Sequence, residues 1–233
     1  MNEKVEYETV RFDSIPSTQD YAKGRRGEGK NLLAIAKRQT QGKGTKGRSF
    51  SSGEGGLYMT ALRFYERFPA NRAFEVMQHT AVAVCETLAE FSLQAKIKWP
   101  NDIFVANKKI CGILTENVFS GSWLRSSCVG VGLNVNNALE EELCAVATTM
   151  QTVIGAPIEI SAVESRLIEK LFGKNLSQKY GSYLGWMGEK IKIRTADGEI
   201  RARLLGVNER GELLAQTKDG ERVFSAGEVS VSV

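Results

Sequence analysis

The sequence predicts an α+β fold. A mixed β-sheet with packed helices spans residues 1–185, and a small all-β barrel of the SH3-like kind follows over residues 186–233. Three observations carry this. Strand-like runs alternate with two stretches of helical period before residue 185. Composition then shifts between Gly181 and Gly188. Beyond the shift come five short alternating runs: Ile191–Arg194, Ile200–Val207, Leu213–Ala215, Val223–Phe224 and Val229–Val233. Asp197-Gly198 and Asp219-Gly220 are hairpin turn signals between them.

Taken in order, Tyr7–Phe12 reads as a strand with β-branched Thr9 and Val10, and Ser14-Ile15-Pro16 ends it. Ser17-Thr18-Gln19-Asp20 reads as a helix start, where Ser17 and Thr18 cap free N–H groups. The alternative is that their hydroxyls face a ligand at that helix end. The apolar run Leu32–Ala36 and Leu57–Phe64 are the next strands. Over 72–91, Phe74, Met77, Ala81, Val84 and Leu88 recur at spacings of three and four, which predicts one amphipathic helix. His79 lies off that stripe and reads as a surface or boundary residue. A short strand ends at Trp99, Pro100 stops regular pairing, and Asn101-Asp102 turn the chain into Ile103-Phe104-Val105. Asn107-Lys108 reads as a hairpin turn leading into a strand over Lys109–Glu116. Trp123–Val135 is a further strand. Gly130 and Gly132 in its interior point to close approach by a ligand or another backbone. Ser161-Ala162-Val163-Glu164 fits a capping box opening a second helix, whose apolar face is Leu167, Ile168, Leu171 and Phe172.

The chemistry concentrates in residues 38–48, Arg-Gln-Thr-Gln-Gly-Lys-Gly-Thr-Lys-Gly-Arg, between two strands. Glycines let backbone N–H groups approach and cradle an anion, and lysines add point charges. The stretch lacks the Walker pattern, so a phosphate site here is of another kind. The bland alternative is a solvated basic loop. Lys109, at the head of a largely apolar strand, either snorkels to solvent or aims at an anion in a pocket. A net charge of +4 permits an anionic ligand without demanding nucleic acid. No apolar run approaches the roughly 18 residues of a membrane span, and Met1–Glu6 lack the core of a signal peptide. Cys85, Cys111, Cys128 and Cys144 show no metal-ligand spacing, and with His79 as the single histidine a zinc site is not expected. Reduced cysteines point to a cytoplasmic protein.

Together these blocks resemble biotin protein ligases. Ser17-Thr18-Gln19, the loop over 38–48, Lys98-Trp99-Pro100-Asn101-Asp102, Lys109-Ile110-Cys111-Gly112-Ile113-Leu114-Thr115-Glu116 and Gly130-Val131-Gly132-Leu133-Asn134 match in order. Gly227-Glu228-Val229-Ser230 fits the family's last strand. The resemblance implies a catalytic domain of the class II synthetase, biotin/lipoate ligase-like kind. It implies ATP-dependent activation of biotin as biotinyl-5′-AMP, then transfer to a lysine of a biotin carboxyl carrier protein. ATP and biotin are the expected substrates. No protein cluster for a metal is expected, and Mg²⁺ is expected to arrive with ATP. By position, Lys109, Lys43, Asp102 and Arg48 become the catalytic set. Ser17, Thr18, Gln39, Gly42, Lys43, Gly44, Lys109, Gly112, Gly130 and Gly132 fall on biotin. Lys43, Gly44, Arg48, Trp99, Asn101, Lys109 and Asn134 fall on the nucleotide, with Trp99 as a packing residue rather than a stacking platform.

Two side chains depart from the family pattern: Thr45 stands where many members carry arginine, and so does Ser232. No helix-turn-helix segment precedes Tyr7, so the resemblance is to the short, purely enzymatic group without a DNA role, some of which form homodimers. The rival enzymatic reading is a lipoate or octanoate ligase or transferase of the same fold. The rival binding reading is a nucleic-acid-binding protein, which the absence of aromatics within the basic loop argues against.

Overall fold

The computed structural model describes residues 6–226 and 230–232. Seven strands form the first sheet: β1 (Glu8–Ile15), β2 (Leu32–Gln39), β3 (Leu57–Pro69), β4 (Ala95–Lys98), β5 (Asp102–Val105), β6 (Lys108–Ser120) and β7 (Trp123–Leu133). Their order is β1-β2-β3-β7-β6-β5-β4. Only β1 and β2 run parallel. A parallel pair needs a crossover connection, which here contains α1 (Thr18–Gly24). The other helices are α2 (Phe74–Glu90), α3 (Met150–Ile154), α4 (Ile160–Leu171) and α5 (Tyr180–Tyr183).

Side chains alternate across the sheet. Met59, Ala61, Val129 and Val131 meet Val76, His79, Leu171 and Phe172 on the α2/α4 side. Thr60 and Gly130 meet Thr18 and Gln19 of α1 on the other side. The α2 stripe is buried as its spacing predicts, with Ala81, Val84 and Leu88 fully enclosed. His79 is indeed a boundary residue. One ring nitrogen lies 2.9 Å from the Leu171 carbonyl, and Nδ1 accepts the Leu176 N–H at 3.1 Å.

A second, five-stranded antiparallel sheet contains β8 (Lys190–Thr195), β9 (Gly198–Val207), β10 (Leu213–Thr217), β11 (Gly220–Phe224) and β12 (Ser230–Ser232). Its order is β11-β10-β9-β8-β12. The five runs expected there all appear, and Gly198 and Gly220 take left-handed φ of 128° and 113° at the turns. Residues 227–229 of the expected last strand, and Val233, lie outside the described residues, as do residues 1–5 and the Ser232 side chain.

Two local expectations shift. The β5–β6 turn is Ala106-Asn107, both left-handed, one residue before the expected Asn107-Lys108. That conformation is the mirror-image turn whose twist suits a two-residue hairpin. The α4 cap is Glu159, whose carboxylate accepts from Ser161 N, and Glu164 is not the reciprocal partner of Ser161. Glu164 instead takes both Arg11 guanidinium nitrogens from β1, at 3.0 and 2.6 Å. A bidentate guanidinium outcompetes a backbone N–H for a carboxylate.

Candidate active site

One cavity of about 670 Å³, including its open mouth, lies on the α1 side of the first sheet. Its polar end is built by α1 and β2. Ser17 is the N-cap, its hydroxyl accepting from Asp20 N at 3.2 Å, so Ser17 points into the helix rather than the cavity. Thr18 is then free of capping. Its backbone N–H and hydroxyl both donate to Gln39 Oε1, at 2.8 and 3.0 Å, and its Oγ1 lies 2.9 Å from Thr60 Oγ1. Gln39 Nε2 donates to Ser52 Oγ at 3.0 Å. Thr60 donates to Gln19 Oε1 at 3.3 Å, and Gln19 Nε2 donates to Glu116 at 2.8 Å. Lys23 closes this chain on Glu116 at 2.8 Å. Burial pushes the Glu116 carboxyl up, but the Lys23 and Gln19 hydrogen bonds outweigh it and hold its pKa below the ordinary value. Such a connected network holds planar amide and hydroxyl groups in place on a cavity wall.

The floor is glycine. Gly112 of β6 is directly opposite Gly132 of β7, with Gly130 one pleat further along. A Cβ on Gly130 would lie 2.7 Å from Gln19 Oε1. A Cβ on Gly132 would lie 2.6 Å from Phe50 Cε1, and one on Gly112 would lie 3.0 Å from Phe50 Cε2. The close approach predicted at these glycines is therefore made by side chains from elsewhere in the fold, chiefly the Phe50 ring, and not by another backbone.

The far end is cationic. Asn101 Nδ2 donates to the Ile113 carbonyl at 2.6 Å and Ile113 N returns to the Asn101 carbonyl at 3.0 Å. This lock sets Asp102 beside Lys109, whose Nζ lies 2.7 Å from Oδ1. Neither is sealed off: the side chains are 33% and 27% exposed, so both remain available to a ligand. Lys109 Nζ also stands 5.8 Å from the Phe50 ring centroid. The basic loop folds over this end. Lys43 bridges antiparallel to Ser49 and pairs with Asp20 of α1 at 2.9 Å. Arg48 donates to the Thr45 carbonyl at 3.3 Å and to Thr45 Oγ1 at 3.1 Å. Lys43, Arg48 and Lys109 line the cavity against the single lining carboxylate, Asp102. That imbalance favours an anion.

Of the residues singled out from sequence, Thr18, Gln39, Lys43, Gly44, Arg48, Asn101, Asp102, Lys109, Gly112, Gly130 and Gly132 line this one cavity. Ser17, Gly42, Trp99 and Asn134 do not. A Cβ on Gly42 would collide with Phe50 O and Ser52 Oγ, so this glycine serves the packing of the loop on itself. Trp99, assigned above to the nucleotide side, is buried and donates its indole N–H to the Gly211 carbonyl of the second sheet's β9–β10 turn at 2.8 Å. Asn134, also assigned to the nucleotide, is buried too. It donates to the Thr148 carbonyl and accepts from Asn137, both at 3.2 Å, which holds the segment after β7. Sequence reasoning missed Phe50, Gln19 and Thr60 as wall residues. The available signals were an aromatic directly after a glycine loop and a polar residue inside an apolar strand.

Residues 11–134 match the Biotin/lipoate A/B protein ligase family, and residues 187–232 match the Biotin protein ligase C terminal domain. The Bifunctional ligase/repressor BirA of Bacillus subtilis is 29% identical over 241 residues, spanning 97% of this chain and 74% of that protein. The biotin–acetyl-CoA-carboxylase ligase of Paracoccus denitrificans is 25% identical over 216 residues, spanning 84% of this chain and 88% of that protein. Among solved structures, biotin protein ligase from Aquifex aeolicus in complex with biotin and ATP is similar with a TM-score of 0.76. It is 29% identical and covers 97% of this chain and 98% of that one.

Proposed function

The chain belongs to the biotin/lipoate A/B protein ligase family, and on that premise we propose that it is a biotin protein ligase acting through biotinyl-5′-AMP. The observation that carries this reading is the layout of one cavity: an amide-and-hydroxyl end, a glycine floor and a cationic end in a row. That layout suits an elongated ligand with a planar ureido head, a slender apolar body and a carboxylate tail.

In this reading Thr18, Gln39 and their network face the ureido ring. Gly112, Gly130 and Gly132 add no side chains of their own to the floor, so the body of biotin reaches the sheet when the Phe50 ring that now covers Gly112 and Gly132 gives way. Lys109 meets the carboxylate and the α-phosphate, and Lys43 and Arg48 face the phosphates from the loop. The carboxylate oxygen attacks the α-phosphorus, the bond from that phosphorus to the bridging oxygen breaks, and pyrophosphate leaves with the electron pair. The amine of a carrier-protein lysine then attacks the mixed anhydride carbonyl, and AMP departs. Two anions must meet against their repulsion, and fixed cations and loop N–H groups reduce that cost without reorganising during reaction. Among the described residues no His/Cys/Asp/Glu cluster is arranged for a metal. The lining carboxylate Asp102 fits a Mg²⁺ ion held mainly by phosphate oxygens and waters, which would neutralise phosphate charge. Asp102 can equally hold the incoming lysine of the carrier.

Biotin is favoured over lipoate or octanoate because a ureido ring can exchange hydrogen bonds with the amide and hydroxyl groups of the Thr18–Gln39–Thr60 end, whereas a dithiolane or a plain acyl chain would only desolvate them. The deciding experiment is biotin-dependent exchange of labelled pyrophosphate into ATP, followed by labelling of an apo carrier domain. Exchange with biotin and none with lipoate or octanoate is the expected result. The reverse preference would overturn the assignment.

A further inference from the structure

A second cavity lies on the opposite face of the first sheet, under α2 and α4, and encloses about 470 Å³ including its open mouth. Met59 and Ala61 of β3 and Val129 and Val131 of β7 form its floor, and Val76 and Phe172 close over it. Ala61 stands directly opposite Val129 on a central strand, yet it keeps part of its surface open while Met59, Val129 and Val131 are buried. The helices therefore leave a void over Ala61, and the lining of a void forfeits the contacts that close packing would give it. Most polar groups of the wall are already satisfied. The Thr80 hydroxyl donates to the Val76 carbonyl at 2.9 Å, and both His79 ring nitrogens are engaged. Arg63, half-buried on the same face of β3, is the exception. Its guanidinium stands 5.3 Å from the centroid of the Tyr65 ring, and among the described residues no hydrogen bond or ion pair engages it.

We propose that this cavity is a binding site for a short apolar carboxylate, its chain over Ala61 and its carboxylate on Arg63. An enclosed apolar volume takes up an apolar body that fits it. A guanidinium presents five donors in one plane and pairs with a carboxylate through two parallel hydrogen bonds. Ala61 and Arg63 are two residues apart on one face of β3, about 7 Å, so a short acyl chain or a single ring spans the distance. One molecule must meet both demands. An alcohol fills the void but leaves the guanidinium without an anion, and acetate pairs with the guanidinium but leaves the void empty. The site lies behind the sheet from Lys109, and the inference does not depend on the ligase reading.

Hexanoate is the probe, with hexanol as its uncharged counterpart and acetate as its truncated one. Binding to the full chain is followed by methyl NMR, with thermal melting to check that each variant folds. Hexanoate should shift the Val129 and Leu171 methyl resonances saturably, because both residues line this cavity and neither lines the active-site cavity. Lys109→Met should leave those shifts unchanged. Hexanol should bind the wild type at least about tenfold more weakly than hexanoate does, and Arg63→Gln should weaken hexanoate binding by as much, the size of one lost charged hydrogen bond. Acetate should also bind at least about tenfold more weakly, for want of buried methylenes. Ala61→Leu fills the void and should abolish binding, and Val76→Phe makes the same test from α2 if that variant melts abnormally. Absence of a saturable shift with hexanoate would overturn the inference. So would equal affinity for hexanol, undiminished binding by Arg63→Gln, or shifts confined to Leu114, which lines the active-site cavity and not this one.

Discussion

Lys109→Met separates the chemistry of this site from its stability. The substitution keeps the aliphatic stem and removes only the charge. In the folded protein that charge meets Asp102 at 2.7 Å, in a pair whose side chains are 33% and 27% exposed. Solvent screening at that exposure limits the pair to about 0–1 kcal/mol of folding stability. Asp102 does not become an isolated buried charge, because Lys98 remains opposite it on β4. The catalytic loss is of another size. If Lys109 neutralises charge developing at the α-phosphate, its removal costs about 10²–10³ in rate, or roughly 2.7–4 kcal/mol, as for one preorganised donor. The assays are single-turnover formation of biotinyl-AMP and urea unfolding of the same preparation. The expected result is adenylation reduced by at least about a hundredfold with an unfolding midpoint close to that of the wild type. Adenylation within about threefold of wild type would refute the reasoning and leave Lys109 a surface ion-pair residue.

Two further predictions concern the scaffold. Gly211 has φ of 77°, a Cβ there would overlap the Phe74 ring of α2, and its carbonyl receives the Trp99 indole N–H. Gly211→Ala should cost about 2–4 kcal/mol, combining the left-handed backbone penalty with overpacking. A change below about 0.5 kcal/mol in denaturant unfolding would show that this contact yields freely. Burial lowers the pKa of His79, and its Nδ1 must stay unprotonated to accept from Leu176 N. The unfolded chain therefore binds the proton more readily. The stabilisation is fully present above the unfolded value of about 6.5 and is lost as pH falls from there through the depressed folded pKa. Unfolding free energies measured at about pH 7.5, 6.5 and 5.5 should fall more steeply for the wild type than for His79→Gln, and equal slopes would assign the dependence to other groups.

What the sequence determined by itself is mostly local. The 3.6-residue period of α2, the Ser17 cap, the β5–β6 hairpin to within one residue and the five strands of the second sheet follow from propensity and turn chemistry, which act over a few residues. The site was legible because most of its polar residues lie in short compact blocks: the 38–48 loop, Asn101-Asp102, and Lys109 with Gly112. Tertiary structure decided what those blocks touch. Sheet order lays β6 beside β7 so that Gly112 faces Gly132, and only then does the Phe50 ring find room on both. The same placement ties Lys43 to Asp20, sends the Trp99 indole to Gly211 and turns Glu164 from its own helix cap to Arg11. Asn134 looked like a ligand contact from its motif, yet its amide is spent on Thr148 and Asn137. A side chain's own conformational preferences reach one or two turns of chain. Its partner is set by which strands lie adjacent and in what register, and that is a property of the packed whole.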